Sequence, residues 1–275
     1  MNLVEQLKYC YHKLSTAQIE NPQNESELIL SQVLNLSRSE LYLNRKEKID
    51  PKLASQIDSL IEKRILGIPL QYLFGETEFY GLIFKVDQSV LIPRPETEIL
   101  VEKILGEIKT ENIKILDIGT GSGAIAITLA YHFPEAQITA TDVSEKAIIT
   151  AAKNAKLNQV KINFIISDLF KNISDRYDII ISNPPYITKS EYTSLPVEVK
   201  DHEPEIALIA GESGLKYYQK ILEKAKDYLT PGGKIYFEIG EYLSSGIKKF
   251  ARKNGFNNIV IYPDLAGRDR IMKIG

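Results

Sequence analysis

Along residues 1 to about 75, apolar positions recur every three or four residues: Leu3, Leu7 and Leu14, then Leu28, Ile29, Val33 and Leu34, then Leu53, Ile57, Leu60 and Ile61. That spacing lays an apolar stripe along each of several helices. The polar stretches "NPQNES" and "KIDPK" separate them, and Asp50-Pro51 suits an N-cap followed by proline in the first turn. The period changes over residues 76 to 93, "ETEFYGLIFKVDQSVLIP", where β-prone residues around Gly81 predict a β-hairpin. A further helix starts within "RPETEILVEKILGEI", with Thr97 as its expected cap.

From Ile113 onward, apolar runs of strand length alternate with helical patterns. Strands are predicted at 113–118, 137–142, 162–167, 177–182, 234–239, 259–262 and 270–274. Helices between them include "AIAITLAYHF", "SEKAIITAAKNAKLN" and "GLKYYQKILEKAKDYL", the last expected to be closed by "TPGG". This alternation predicts an α/β fold with a doubly wound, mostly parallel seven-stranded sheet, ligands binding beyond the carboxyl ends of its strands. The expected division is a helical domain at 1–75, a hairpin linker at 76–98 and the sheet domain at 99–275.

Composition narrows the chemistry. The chain has 275 residues, 44% hydrophobic and 25% charged, with net charge −2, the mix of an ordinary globular protein. Residues 1–75 hold nine Lys/Arg against nine Asp/Glu, so no basic clamp for a phosphate backbone is expected there. Cys10 is the only cysteine, and His12, His132 and His202 lie far apart, so neither an internal disulfide nor a metal site is expected. "MNLVEQLKYCYHKL" lacks the uninterrupted apolar centre of a signal peptide, and no apolar run is long enough for a bilayer. A cytoplasmic protein is expected.

Candidate chemistry clusters at predicted strand ends. "ILDIGTGSGAIAI" places Asp117 at the end of a strand and Gly119, Gly121 and Gly123 in the turn that follows. Glycines there allow close backbone approach to a ligand, and the spacing also fits the dinucleotide-binding fingerprint. Asp117 suits a ligand carrying positive charge better than a pyrophosphate. Asp142, about 20 residues on, can accept both ribose hydroxyls, although an aspartate there could instead cap the next helix. Asp168 could accept an adenine amine, with Leu169 over one ring face, or could be a turn aspartate. A ribose with a cationic amino-acid tail describes S-adenosylmethionine.

The fourth strand of this series ends in Asn183-Pro184-Pro185-Tyr186. Two prolines stiffen this corner and remove its N–H donors. The Asn183 side-chain carbonyl and the Pro184 main-chain carbonyl can then accept the two hydrogens of a planar NH2 group. Such a nitrogen is a poor nucleophile, and fixed acceptors would aim its lone pair and stabilise the charge it develops. Tyr186 offers a flat face. Arg94, Glu96 and Glu98 could shape a substrate entrance or form a solvated helix start.

These residues resemble those of the release factor glutamine methyltransferases. The likeness runs through "GIPLQYLFGETEFYGLIFKV", "VLIPRPETE", "LDIGTGSGAIAI", "ATDVSEKA", "SDLF", "DIIISNPPYI", "HEPEIALIAGESGLKYY" and "DLAGRDR". It implies that Gly119, Thr120, Gly121, Ser122, Gly123 and Asp142 hold the cofactor, with Asp168 and Leu169 beside its adenine. It further implies that Asn183, Pro184, Pro185 and Tyr186 bind the target glutamine, Asn183 also bordering the cofactor. A helical domain would help dock a release factor whose Gly-Gly-Gln loop enters the crevice; a monomer that binds no nucleic acid directly is expected. "NPPY" is shared with nucleic-acid amino-methyltransferases, so an enzyme acting on bases, one acting on a ribosomal-protein glutamine, and a nicotinamide oxidoreductase are the competing readings.

Overall fold

The computed structural model describes residues 1–44, 46–110 and 112–275. The chain forms two compact units, one of Met1–Gly75 with Val197–His202, the other of Glu76–Pro196 with Glu203–Gly275.

The first unit is helical: α1 (Leu3–Thr16), α2 (Pro22–Leu34), α3 (Arg38–Leu43), α4 (Pro51–Ile65) and α5 (Leu70–Phe74). Asn2 and Ser37 begin capping boxes with Glu5 and Glu40, and Asp50 caps α4 ahead of Pro51, each satisfying amides that a helix start leaves open. The apolar stripes meet in a core containing Leu7, Cys10, Leu14, Ile29, Leu30, Ile57 and Ile61. Leu28 faces out, because adjacent helical positions point about 100° apart and Ile29 takes the inward one. Arg64 is buried; its Nε and Nη2 donate to Glu25 at 2.7 and 3.0 Å, and Nη2 also reaches Glu198 Oε2 at 2.6 Å. This ion-paired guanidinium holds the short helix Val197–Lys200 within the unit.

The second unit opens with the hairpin β1 (Glu76–Phe79) and β2 (Leu82–Lys85). Tyr80 and Gly81 both have positive φ, 50° and 75°, the geometry of a tight two-residue turn. There follow α6 (Pro95–Glu107), β3 (Lys114–Ile118), α7 (Ala124–His132), β4 (Gln137–Asp142), α8 (Glu145–Leu157), β5 (Asn163–Ile166), β6 (Tyr177–Ser182) and α9 (Lys189–Tyr192). After α10 (Val197–Lys200), already placed in the first unit, come α11 (Lys216–Tyr228), β7 (Leu229–Glu238), α12 (Ser244–Lys253), β8 (Ile259–Pro263) and β9 (Asp269–Ile274).

The seven strands lie in the order β5-β4-β3-β6-β7-β9-β8. Only β9 runs against its neighbours, so the sheet is mostly parallel, as the alternating pattern predicts. Both faces are covered. Ile115 and Ile181 join a core with Leu100, Ile104 and Ile127, while Leu116 and Ile180 join another with Tyr218, Ile221 and Ile247. Strands buried on two faces must read as nearly continuous apolar runs, and each large side chain removed from water contributes about 1.5–3 kcal/mol. The chain passes from β3 to β4 on one side and later to β6 on the other, which opens a crevice at their carboxyl ends. Ser182 Oγ donates to Ile118 O at 2.7 Å and fastens these two ends together.

Two local expectations change. "TPGG" does not close α11; it lies inside β7, where the register against β6 shifts between Tyr177 and Ile179. Pro231 has no N–H for a ladder, and a bulge is where a strand can accept it. Thr97 does not cap α6 either, because the helix begins at Pro95 and Arg94 takes the cap position without a side-chain bond. Proline at the first position needs no capped amide, and the Thr97 hydroxyl turns inward to Glu238 Oε2 at 2.6 Å.

Candidate active site

At the carboxyl ends of β3 to β6 lies a cleft that is open to solvent and lined from within the second unit.

The turn after β3 forms one wall. Gly119 and Gly121 line the cleft with φ of 75° and 56°, and an added Cβ at either would meet nothing within 4 Å. Their bare backbone therefore leaves space that any side chain would fill. Gly123 serves a different purpose: its Cβ would come within 2.7 Å of Ile127 Cδ1 and 3.2 Å of Ala151 Cβ, so it permits α7 to start against α8. Thr120 and Ser122 are buried and shape the turn; Ser122 O accepts from Asn154 Nδ2 at 2.9 Å.

Asp142 lines the cleft at the end of β4. Its Oδ2 accepts from Gly121 N and its Oδ1 from Ser144 N, both at 2.9 Å. The cap of α8 is Ser144, so Asp142 is left to the cleft. Burial pushes its carboxyl above the ordinary range, against the pull of those amides. Asp117 is not among the residues that line the cleft. It is fully buried beneath the turn, its Oδ2 accepts from Thr120 Oγ1 at 2.6 Å, and its Oδ1 has no partner. Burial raises it to about 7, opposed by the Thr120 bond and helped by the charge of Asp142.

Asp168 is exposed and lines the cleft after β5, beside Leu169. Leu169 has φ +53°, a left-handed conformation that costs an ordinary residue about 1–2 kcal/mol. Ser167 holds it there, donating to Leu169 O at 2.9 Å and accepting from Asn172 N at 3.0 Å.

Asn183, Pro184 and Pro185 line the same cleft at the end of β6. Asn183 Nδ2 donates to Thr97 Oγ1 at 3.3 Å, which leaves its Oδ1 on the other side of the carboxamide. Tyr186 is not on the cleft wall; its ring packs at the edge of the second core with Leu215 and Leu243. Its main-chain O would lie 2.6 Å from a Cβ at Gly214, and its ring 3.3 Å from one at Gly240. Burial first, then the charge of Glu238, pushes its hydroxyl up to about 12, against Arg270 and Arg94.

The residues ahead of α6 are engaged elsewhere. Arg94 makes a bidentate pair with Glu203 at 2.6 and 2.8 Å, and Glu98 Oε1 accepts from Tyr80 N at 2.7 Å. Glu98 thus ties the hairpin to α6 rather than facing the cleft. Sequence reasoning passed over three parts of the lining: Ser89–Leu91, Val143, and Pro204 with Ile206, Ala207 and Tyr217. Apart from Tyr217 on α11, these residues lie outside the sheet and the α-helices and carry no ionisable side chain, and only the motif likeness across "VLIP" and "HEPEIALIAGESGLKYY" could mark them. Glu238 was also passed over, although a carboxylate inside the apolar run "IYFEIG" is itself a signal.

Comparison with known proteins completes the picture. A family model described as the PrmC N-terminal domain matches residues 5–75, and one described as the methyltransferase small domain matches residues 95–198. A release factor glutamine methyltransferase of Thermodesulfovibrio yellowstonii is 42% identical over 90% of each chain. That of Lactococcus lactis is 40% identical over 94% of this chain and 96% of its own. Among solved structures, a methyltransferase from Pyrococcus furiosus superposes with TM-score 0.54 at 22% identity, covering 78% of this chain and 96% of that one. A Thermus thermophilus 16S rRNA N2 G1207 methyltransferase in complex with AdoMet and guanosine has TM-score 0.53 at 17% identity, covering 72% and 49%. These two share the fold.

Proposed function

The chain belongs to the release factor glutamine methyltransferase family, and we infer that it transfers a methyl group from S-adenosylmethionine to the side-chain amide nitrogen of the glutamine in the Gly-Gly-Gln motif of peptide chain release factors. The observation that carries this reading is that the Asn183-Pro184-Pro185 corner and the Gly119/Gly121 turn with Asp142 line one cleft.

The residues present fit the cofactor. Open space over Gly119 and Gly121 lets backbone come against it, and Asp142 stands where a ribose is read. The unpartnered Oδ1 of Asp117 leaves an unsatisfied acceptor just beneath the turn, and a ligand bearing a cation would favour the ionised form of this buried carboxyl. When bound, S-adenosylmethionine supplies an electrophilic methyl on a sulfonium. Asp168 and Leu169 are assigned to the adenine side.

The corner does the rest by orientation. Asn183 Oδ1 and the Pro184 carbonyl accept the two amide hydrogens of the substrate, which aims the nitrogen and stabilises its growing positive charge. No strong general base is needed, because the nitrogen becomes acidic as the methyl arrives. The helical unit is assigned a role in docking the release factor. The enzyme is expected to act in the cytoplasm as a monomer, with the release factor as its protein substrate.

Incubating the purified chain with a release factor and labelled cofactor, then sequencing the Gly-Gly-Gln peptide by mass spectrometry, tests the reading; one methyl on the glutamine is expected. Asn183→Ala should lower transfer by about 10²-fold or more while cofactor affinity stays within about threefold. Equal loss of both would remove Asn183 from its assigned place.

A further inference from the structure

Three side chains from three elements form a line behind the corner. Asn183 Nδ2 lies 3.3 Å from Thr97 Oγ1, and Thr97 Oγ1 lies 2.6 Å from Glu238 Oε2. Thr97 is 4% exposed and Glu238 2%, between the fully buried Phe237 and Ile239. Burying a carboxylate there is expensive, and no ion pair within 4.0 Å compensates it among the described residues. Arg270 on β9 pairs instead with Asp264 at 3.4 Å, and Arg94 pairs with Glu203. Packing alone therefore gives no reason for an acid at this position.

We propose that Glu238 is a positioning residue that acts through Thr97 to decide which end of the Asn183 carboxamide faces the cleft. The inference rests on the reading that Asn183 accepts a hydrogen from the substrate amide. An ionised carboxylate can only accept. Thr97 has a single hydroxyl hydrogen, and it goes to Glu238. The Thr97 oxygen can then only accept from its other neighbour, so Asn183 must turn its NH2 group toward Thr97. Its Oδ1 is left for the cleft, which is the end a substrate NH2 requires. Take away the acid, and the Thr97 hydrogen is free to point at Asn183. The carboxamide can then turn over and meet a donor with a donor.

Several charges bear on Glu238. Arg270 from β9 and Arg94 at the cap position before α6 favour its anion, and Glu96 from α6 opposes it. Tyr218 from α11 donates to the Glu238 main-chain O at 2.9 Å, and Tyr186 from the corner lies in the same field. Burial dominates and lifts the carboxyl to about 7, against the Thr97 bond and Arg270. A protonated Glu238 becomes a donor, and the polarity of the line is no longer set.

The test compares Thr97→Val, Thr97→Ser and Glu238→Gln with the parent chain at saturating cofactor, using a release factor as substrate. Thr97→Val and Glu238→Gln should each lower kcat about 10- to 100-fold, with cofactor affinity within about threefold. Thr97→Ser should keep most of the activity, and the double variant should lose little more than either single one. The parent's kcat should rise with pH through about 7, and Glu238→Gln should flatten that limb. Independently of transfer, the Asn183 side-chain NH2 should show an NMR contact to the Thr97 methyl that weakens in Glu238→Gln. If Glu238→Gln and Thr97→Val both stay within about twofold of the parent, or if Thr97→Ser is as damaged as Thr97→Val, the relay is wrong. If the parent leaves release factors unmethylated, it is the proposed function that fails, and the NMR contact still decides the orientation of Asn183.

Discussion

Asp117 and Asp142 sit at successive strand ends and are treated differently by the fold. Asp142 has both oxygens held by backbone amides and faces the cleft. Asp117 is sealed under the turn with one oxygen unpartnered and its pKa at about 7. A cation bound above the turn favours the ionised form and lowers that pKa. Protons are then released on binding, so affinity for the sulfonium cofactor should strengthen as pH rises from about 6 to 8. The thioether product, which has lost the sulfonium charge but keeps the tail ammonium, should show the same direction with a smaller slope. Calorimetry in buffers of different ionisation heat reads the proton release directly, and a pH-independent affinity for both would deny Asp117 this part. At this scale the sequence marked Asp117 as an acid at a strand end. It could not say that the carboxylate is sealed beneath the turn, since that depends on the Thr120 hydroxyl three residues on and on the elements packed around it.

Glycines in a single turn are equally unlike one another once neighbouring elements are placed. Gly121 faces open space, whereas Gly123 lets the start of α7 meet α8, with a Cβ only 2.7 Å from Ile127 Cδ1. Gly123→Ala combines a left-handed φ of +84° with overpacking, so it should cost about 2–4 kcal/mol. Gly232→Ala, at φ +81° but in open space, should cost only about 1–2 kcal/mol. Urea denaturation of both variants checks the difference; equal losses would mean that the α7–α8 contact yields freely. The same dependence on neighbours explains where periodicity misled. Thr97 reads as a cap because it opens an apolar pattern, yet proline at 95 starts the helix earlier and frees the hydroxyl for Glu238. "TPGG" reads as a helix stop, yet β6 offers a partner and draws it into a bulged strand.

Across the whole molecule, acids that the fold buries or pairs set opposing pH dependences. Glu107 gathers Tyr236, Tyr262, Lys234 and Lys273, tying α6 to β7, β8 and β9. Burial would raise its pKa, but those partners outweigh it and hold it at about 2. Its contribution is present above the ordinary value near 4.5 and is lost as pH falls toward 2. Asp117 and Glu238, both raised to about 7, behave oppositely: the stability they allow is complete below about 4 and declines as pH rises through 7. Thermal stability should therefore peak on the acid side of neutrality. Glu238→Gln should raise Tm at pH 8 and leave it nearly unchanged at pH 4.5, which scanning calorimetry would show; a fall at pH 8 would contradict the burial of an ionised group. What the sequence determined alone was periodic or local: helices followed by a strand–helix alternation, capped starts such as Asp50-Pro51, and the glycine turn, Asp142 and "NPPY" at strand ends. These follow from spacing along one chain, where backbone geometry fixes which residues share a face. What tertiary structure alone decided were relations among residues far apart in sequence. Thr97, Asn183 and Glu238 come from three elements, and Arg64 draws Glu198 into the helical unit. A hydrogen bond or ion pair depends on distances of a few ångströms, and the linear pattern does not contain them until the elements have packed.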